Sequence, residues 1–410
     1  AGPTAAQIVG IADYIPWCGE AECTTLVYPP VHNVTQDTWH GTIQAAIDAA
    51  VDGNLIEVAP GTYNEKVTLN KPNITVRSTD GAATTIIDVP LGTLTRGVWV
   101  EANMGVLTFD GFTVKNFTEG GIIQGMASGT GTTIHVLNNI ILPYDPPEDE
   151  PYLRNGIQVS GDGSTVKGNY VEGAYLTDAW GSTGILVVNA SNVVIENNTV
   201  SGELYGLDMG IGVLNYNVAT VDNIQILNNV ITGVDYSLDV TANSGTISGV
   251  VIEYNEITDY IEPIWAGLNG GTSVAQVDAS PNWWGSEFGP QGVVTGDVDV
   301  IQWCADEECT TFAPEGGLIT LTSADSQIGA IKIYVPGISY YLTPGTVLQN
   351  SSPCFEVYAD DVKIYTDSPA AAKCVPTNGS DGIWVADGVA NLRVVNLEFD
   401  GTGQTTGSGI

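Results

Sequence analysis

Five short segments share one pattern, apolar-x-x-Asn-x-apolar, and their spacing leaves few folds open. They are Val136–Ile141, Val166–Val171, Ile195–Val200, Ile226–Ile231 and Ile252–Ile257. Their asparagines, Asn139, Asn169, Asn198, Asn229 and Asn255, stand 30, 29, 31 and 26 residues apart. Between them recurs a second strand-like unit: Gly156-Ile-Gln-Val159, Gly184-Ile-Leu-Val187 and Gly210-Ile-Gly-Val213. Short β-branched strands bounded by Gly and Asn, repeating with a period inside 20–50 residues, mark a solenoid. No 3.6-residue apolar pattern fills the intervals, which disfavours a leucine-rich horseshoe. Asparagine tolerates the left-handed backbone of a sharp corner, and stacked amides bond from coil to coil at about 4.8 Å per rung. The expected fold is therefore all-β, a parallel β-helix. Phe109-Asp-Gly-Phe112-Thr-Val114 fits the same frame with Phe in the Asn slot, which predicts an aromatic stack at that end of the corner.

One helix is expected, from Thr42 to about Val51. Ile43, Ala46, Ile47, Ala50 and Val51 form its apolar stripe and Gly53 stops it. It precedes the first strands, Leu55–Val58 and Lys66–Leu69, where an amphipathic helix would cap the open end of a solenoid.

A longer repeat runs over the short one. Ile15-Pro-Trp-Cys18 … Glu22-Cys23-Thr-Thr25 recurs as Ile301-Gln-Trp-Cys304 … Glu308-Cys309-Thr-Thr311, an offset of 286 residues. Gly97-Val-Trp99-Val100 recurs as Gly382-Ile-Trp384-Val385, and Leu107–Val114 as Leu392–Phe399, both at 285. Val58-Ala-Pro60-Gly61 is matched to Tyr334-Val-Pro336-Gly337 at 276, with insertions between. Three pieces follow: residues 1–31 as the tail of a preceding unit, 32–311 as one complete β-helix, and 312–410 as the first part of another. Both ends are expected to cut through a repeat. The second unit shows no copy of the capping helix.

Charge narrows the partners. With 47 Asp+Glu against 11 Lys+Arg the net charge is −36, which repels nucleic acid, anionic lipid and unbridged polyanions. No apolar run is long enough for a membrane span. The six cysteines fall into local pairs, Cys18/Cys23, Cys304/Cys309 and Cys354/Cys374, with none of His32, His40 or His135 beside one. Disulfides formed outside the cytosol are expected rather than metal sites, and with them an extracellular or cell-surface location.

Ala59-Pro-Gly-Thr-Tyr-Asn-Glu65-Lys-Val67 is similar to the opening turn of right-handed parallel β-helix repeat proteins of prokaryotic cell surfaces, a turn shared with pectinesterases. Asn282-Trp283-Trp284-Gly285-Ser286 … Gly289-Pro290 resembles the motif with which those surface proteins close a helix. The resemblance covers roughly residues 40–300 and implies the right-handed, pectin-lyase-like fold. That family holds lyases, esterases, adhesins and structural arrays alike, so it leaves function open.

Catalytic constellations of those enzymes are not visible. Gln36-Asp37-Thr38 echoes part of a pectinesterase signature but precedes the capping helix. Arg154 beside the acidic loop Asp145–Pro151 is the best lyase-like grouping, and a solvated loop explains it as well. No catalytic residue is assigned, and the chain is expected not to be an enzyme. Cofactors are expected to be none, apart from Ca²⁺ held by Asp145, Glu148, Asp149 and Glu150. Tyr175, Asp178 and Trp180, with Tyr205, Asp208 and Tyr216 from the next coils, form a candidate glycan-binding face. Sequons at Asn33, Asn73, Asn116, Asn189, Asn197, Asn350 and Asn378 are candidate N-glycosylation sites. The leading expectation is a structural element of a surface layer, sheath or filament, self-associating end to end. A carbohydrate-binding adhesin with surface polysaccharide as partner is the alternative, and a polysaccharide lyase or esterase the second.

Overall fold

The computed structural model describes residues 17–18, 26–92, 95–125, 131–143, 155–173, 182–202, 207–268, 273–290, 292, 294–313, 317–325, 330–350, 353–369, 371–376 and 381–400. It is an all-β parallel β-solenoid with 3% helix, as the short repeat predicts. Each coil lays strands on three faces. A first-face strand such as Leu55–Val58 leads to a second-face strand, Gly61–Tyr63, then a third-face strand, Val67–Leu69, and back to the first face at Thr75–Ser78.

Alternation does the sorting. In a strand every second side chain points inward, so one apolar residue per strand builds a column through the core. On the first face the column runs Ile56, Val76, Phe109, Val136, Val166, Ile195, Ile226, Ile252 in register. On the third it runs Val98, Ile122, Ile157, Ile185, Ile211, Leu238, Ile264. All are fully buried, each contributing about 1.5–3 kcal/mol.

Of the two repeated motifs, the first makes a corner and the second opens a third-face strand. Between first and second faces the asparagines form one column, each Nδ2 donating to the next Oδ1: Asn139 to Asn169 at 3.0 Å, then Asn198, Asn229 and Asn255 at 2.9 Å each. A sixth rung follows, Asn255 to Asn282 at 2.8 Å, so the closing motif begins as one more coil. Every Oδ1 also accepts the backbone N–H of the preceding rung, and every Nδ2 reaches a strand carbonyl. The left-handed residue is the one before the ladder position: Gly111, Asn138, Gly168, Asn197, Asn228 and Tyr254 have φ of 51–83°. Phe112 ends the ladder, its N–H donating to Asn139 Oδ1 at 2.9 Å. Its ring stacks on Phe109 of the same coil at 4.5 Å, so the expected aromatic stack exists within a coil and not between coils. Second in each third-face strand stand Gly97, Gly121, Gly156, Gly184 and Gly210. A Cβ there would lie 2.2–2.6 Å from Val114, Ile141, Val171, Val200 and Ile231, which only glycine permits.

The capping helix spans Ile43–Ala49 and buries Ile43, Ala46 and Ile47. Ala50 is buried too but Val51 is exposed, so the apolar stripe ends one residue earlier than its sequence spacing suggests. Thr42 accepts from Ala45 N–H, and both Glu65 carboxylate oxygens accept, from Ile43 and Gln44 N–H, at 2.9 Å each. The enzyme-like segment Ala59–Val67 thus serves here to dock and cap the helix, with Tyr63 OH donating to Ala59 carbonyl.

A second set of parallel sheets begins at Leu318. Its first face comprises Leu318–Leu321, Ser339–Leu342, Lys363–Tyr365 and Arg393–Val395; its third, Ile331–Ile333, Phe355–Val357 and Ile383–Val385; its second, Val347–Asn350, Lys373–Pro376 and Glu398–Phe399. At the 285-residue offset from the helix stands the third-face strand Ile331–Ile333, and a 3₁₀ turn, Ser323–Asp325, precedes it. The long repeat is structural: the antiparallel pair Trp17↔Val27 recurs as Trp303↔Ala313, each shifted by 286. One correspondence needs correction. Pro60-Gly61 joins a first-face to a second-face strand, whereas Pro336-Gly337 joins a third-face to a first-face strand. The true counterpart is Pro344-Gly345-Thr346, at offset 284, in line with the rest.

Candidate functional site

The third face of the second stack turns aromatic rings outward. Ile331, Ile333, Phe355, Val357 and Ile383 face the core, so alternation places Lys332, Glu356 and Trp384 outside, in register on successive coils. Tyr334 and Tyr358 follow at the strand ends. The rings of Tyr334 and Tyr358 stack at 4.5 Å and 10°, and Tyr358 meets Trp384 at 5.3 Å and 52°. Trp384 is 42% exposed, a large apolar area that core packing does not require. Tyr358 OH donates to Glu356 Oε2 at 2.9 Å. Burial first, and then that bond, push the Tyr358 phenol well above its usual range; burial raises Tyr334 too. Both hydroxyls stay protonated at any ordinary pH. The result is a rigid ladder of three rings flanked by a carboxylate and an amine.

The equivalent tryptophan of the first stack, Trp99, is closed off. The Arg96 guanidinium lies 4.2 Å from its ring centroid, and its Nε1 donates to Glu101 at 3.1 Å. Ile123 and Gln158 occupy the next rungs.

A second feature lies at the corner leading into the third face of the first stack. Register places Ser182, Asp208 and Asp235 on three successive coils. Asp208 Oδ2 accepts from Ser182 N at 2.6 Å and Oγ at 3.1 Å. Burial, and then the charge of Asp208, raise the Asp235 carboxyl. Further along the same strand burial raises Asp239, partly offset by a 2.5 Å bond from Thr241 Oγ1.

Of the proposed glycan face, Tyr175, Asp178, Trp180 and Tyr205 lie outside the described residues, as do the calcium candidates Asp145, Glu148, Asp149 and Glu150, and Arg154. Asp208 is described and is held by Ser182; Tyr216 is exposed. Among the described residues no three His, Cys, Asp or Glu cluster as metal ligands. Cys304–Cys309 and Cys354–Cys374 are disulfides; Cys18 sits in the first hairpin and Cys23 lies outside the description. Two sequons are corrected: Asn33 is fully buried and donates to Asn54 Oδ1 at 2.9 Å, and Asn189 is 6% exposed and bonded to Asn217. Neither has room for a glycan. Asn73 and Asn197 are exposed and Asn116 half-buried; the Asn350 side chain and Asn378 are not described. Trp284 plugs the core, as expected of the closing motif, while Trp283 is half-buried. The Tyr334–Tyr358–Trp384 ladder escaped the sequence analysis, although Trp384 stood in the 285-residue repeat. A search for aromatics one residue out of phase with the buried column would have found it.

No known family's sequence profile matches the chain, and no curated protein does. Among the solved structures to which it is similar are two β-helix proteins. One is the catalytic unit of a GH87 alpha-1,3-glucanase from Streptomyces thermodiastaticus (TM-score 0.37, 14% identity, covering 89% of this chain and 66% of the glucanase). The other is the A-module of the mannuronan C-5 epimerase AlgE6 from Azotobacter vinelandii (TM-score 0.40, 13% identity, covering 87% and 94%). The alignment thus spans just under two thirds of the glucanase's own length. Both are enzymes. That corrects the expectation, drawn from missing catalytic signatures, that a chain of this kind is not one.

Proposed function

We propose that the chain is a carbohydrate-binding β-helix of the extracellular space, holding a saccharide against Tyr334, Tyr358 and Trp384. The observation that carries this reading is the ring ladder, with Tyr334 and Tyr358 half-buried and Trp384 exposed at its end. Pyranose rings present C–H faces that pack on aromatic planes, and their hydroxyls need hydrogen-bond partners at the margins. Glu356, Lys332 and the two phenols supply those partners. The rings ride on strands of a rigid stack, so little ordering cost opposes binding. Two disulfides fit an oxidising compartment. The surface-layer or filament role gains nothing from the coil geometry.

The test is a glycan array followed by calorimetry on the best ligand. Trp384→Ala and Tyr358→Ala are each expected to weaken binding about tenfold, which is ~1.4 kcal/mol. Unchanged affinity in both variants would remove the proposal.

A specific observation favours catalysis as a second reading. Asp235 lies one coil from Asp208 in register, its carboxyl raised by burial and then by the Asp208 charge, and a pair of neighbouring carboxyls is what general acid cleavage of a glycosidic bond uses. Release of reducing ends from polysaccharides, lost in Asp235→Asn, checks it.

A further inference from the structure

The first faces of the two stacks treat their cations in opposite ways. In the first stack Arg77 and Lys167 each face a carboxylate one rung away, Glu57 at 2.6 Å and Glu196 at 2.7 Å. In the second stack Lys363 and Arg393 occupy adjacent rungs of one outward column. Like charges in register repel and destabilise a sheet by roughly 0.2–1 kcal/mol. Among the described residues no ion pair joins either cation to a carboxylate: Lys363 Nζ rests 3.7 Å from the Tyr365 ring centroid, and Arg393 is exposed.

The surroundings are equally unusual. None of the four strands of this face (LITL, SYYL, KIY and RVV) carries a single acid, in a chain with 47 of them. Carboxylates at the strand ends are already engaged. Asp367 accepts from Tyr341 OH at 2.6 Å, Asp361 from Asn391 Nδ2 at 2.8 Å, and Asp360 from Ala390 N at 2.6 Å. Beside the cations the next outward column carries Tyr341 and Tyr365, 5.3 Å apart, and then Val395.

We infer that this first face, Lys363 and Arg393 beside Tyr341 and Tyr365, is a second saccharide site that selects an acidic sugar. The inference rests on the carbohydrate reading above and adds the substrate class. The two cations hold the carboxylate of a uronate through charge-assisted hydrogen bonds, and Tyr341, over which no cation sits among the described residues, carries its ring. At physiological ionic strength the charge of the whole chain is screened beyond about 8 Å, so the local patch governs contact.

The experiment compares a uronate oligosaccharide with its carboxyl-reduced, neutral counterpart, by calorimetry on the full chain. The acidic form is expected to bind at least tenfold tighter. Lys363→Gln/Arg393→Gln should abolish that preference and leave the neutral form's affinity intact; circular dichroism confirms folding. Trp384→Ala, on the other face, should weaken the neutral form and spare the preference. Equal binding of both forms by the wild-type chain, with the Trp384 effect retained, overturns this inference alone. Absence of binding by either form or by any arrayed glycan overturns both readings. A sedimentation change in the double variant without loss of preference assigns the patch to self-association and overturns it too.

Discussion

At the residue scale, the ladder amides and the half-buried carboxyl of Asp239 make opposite demands. Asn198 satisfies its neighbours completely: its Oδ1 accepts from Asn169 Nδ2 and N, and its Nδ2 donates to Asn229 and to Val166 carbonyl. Replacing it with Ala strands several buried groups, each costing about 1–3 kcal/mol. Asn198→Ala should therefore lower urea stability by about 3 kcal/mol or more. Asp239 is the reverse case. Its carboxyl is raised by burial, so the folded state holds the proton more tightly than the unfolded chain. Its favourable contribution is complete below the ordinary carboxylate range and is lost as pH climbs through the raised value. Asp239→Asn should then raise the melting temperature at pH 7 and leave it nearly unchanged near pH 3. The ladder was legible in the sequence because its spacing is periodic. The burial of Asn33 was not, because a sequon marks a local tripeptide while its exposure is set by Asn54, 21 residues away.

At the scale of elements, glycine and glutamate do more positioning than their sequence neighbourhoods disclose. The Gly97 and Gly184 motifs were visible as strand markers, yet their cause is a close approach to side chains of the neighbouring face, which no local pattern encodes. Gly184→Ala would push a methyl to within 2.3 Å of Val200 and 2.8 Å of Gly210 carbonyl. It should cost 2 kcal/mol or more by overpacking, on the order of the usual 1–3 kcal/mol. Gly41→Ala meets nothing within 4 Å and should be close to neutral in the same denaturation assay. Glu65 reaches back across 22 residues to the helix N-terminus, so a segment resembling an enzyme's opening turn turns out to be a cap. The same limit misled the Pro-Gly comparison: two identical dipeptides occur 8 residues apart, Pro336-Gly337 and Pro344-Gly345, and only their place in the coil tells them apart. The ring ladder hid for a related reason. Tyr334, Tyr358 and Trp384 are 24 and 26 residues apart, and coil lengths must be known before they align.

At the scale of the whole molecule, stacking and charge oppose one another. Each coil touches chiefly its neighbours, so stability accumulates rung by rung as it does in other solenoids. A net charge of −36 spread over such a surface repels itself at every length up to the Debye length, and ion pairs neutralise only a small part. Added salt screens that repulsion while leaving the apolar columns and the amide ladder intact. The melting temperature should thus rise steadily from 10 to 500 mM NaCl, the opposite of a fold held together by surface ion pairs. Calcium chloride at matched ionic strength separates screening from a bound ion. If the acidic segment Asp145–Glu150 holds Ca²⁺, the calcium curve must lie above the sodium curve and fall back onto it in Glu148→Gln/Asp149→Asn. Coincident curves in the wild-type chain would assign the whole effect to screening. A melting temperature that falls as NaCl rises would mean instead that the few pairs, such as Arg77–Glu57, outweigh the excess of carboxylates.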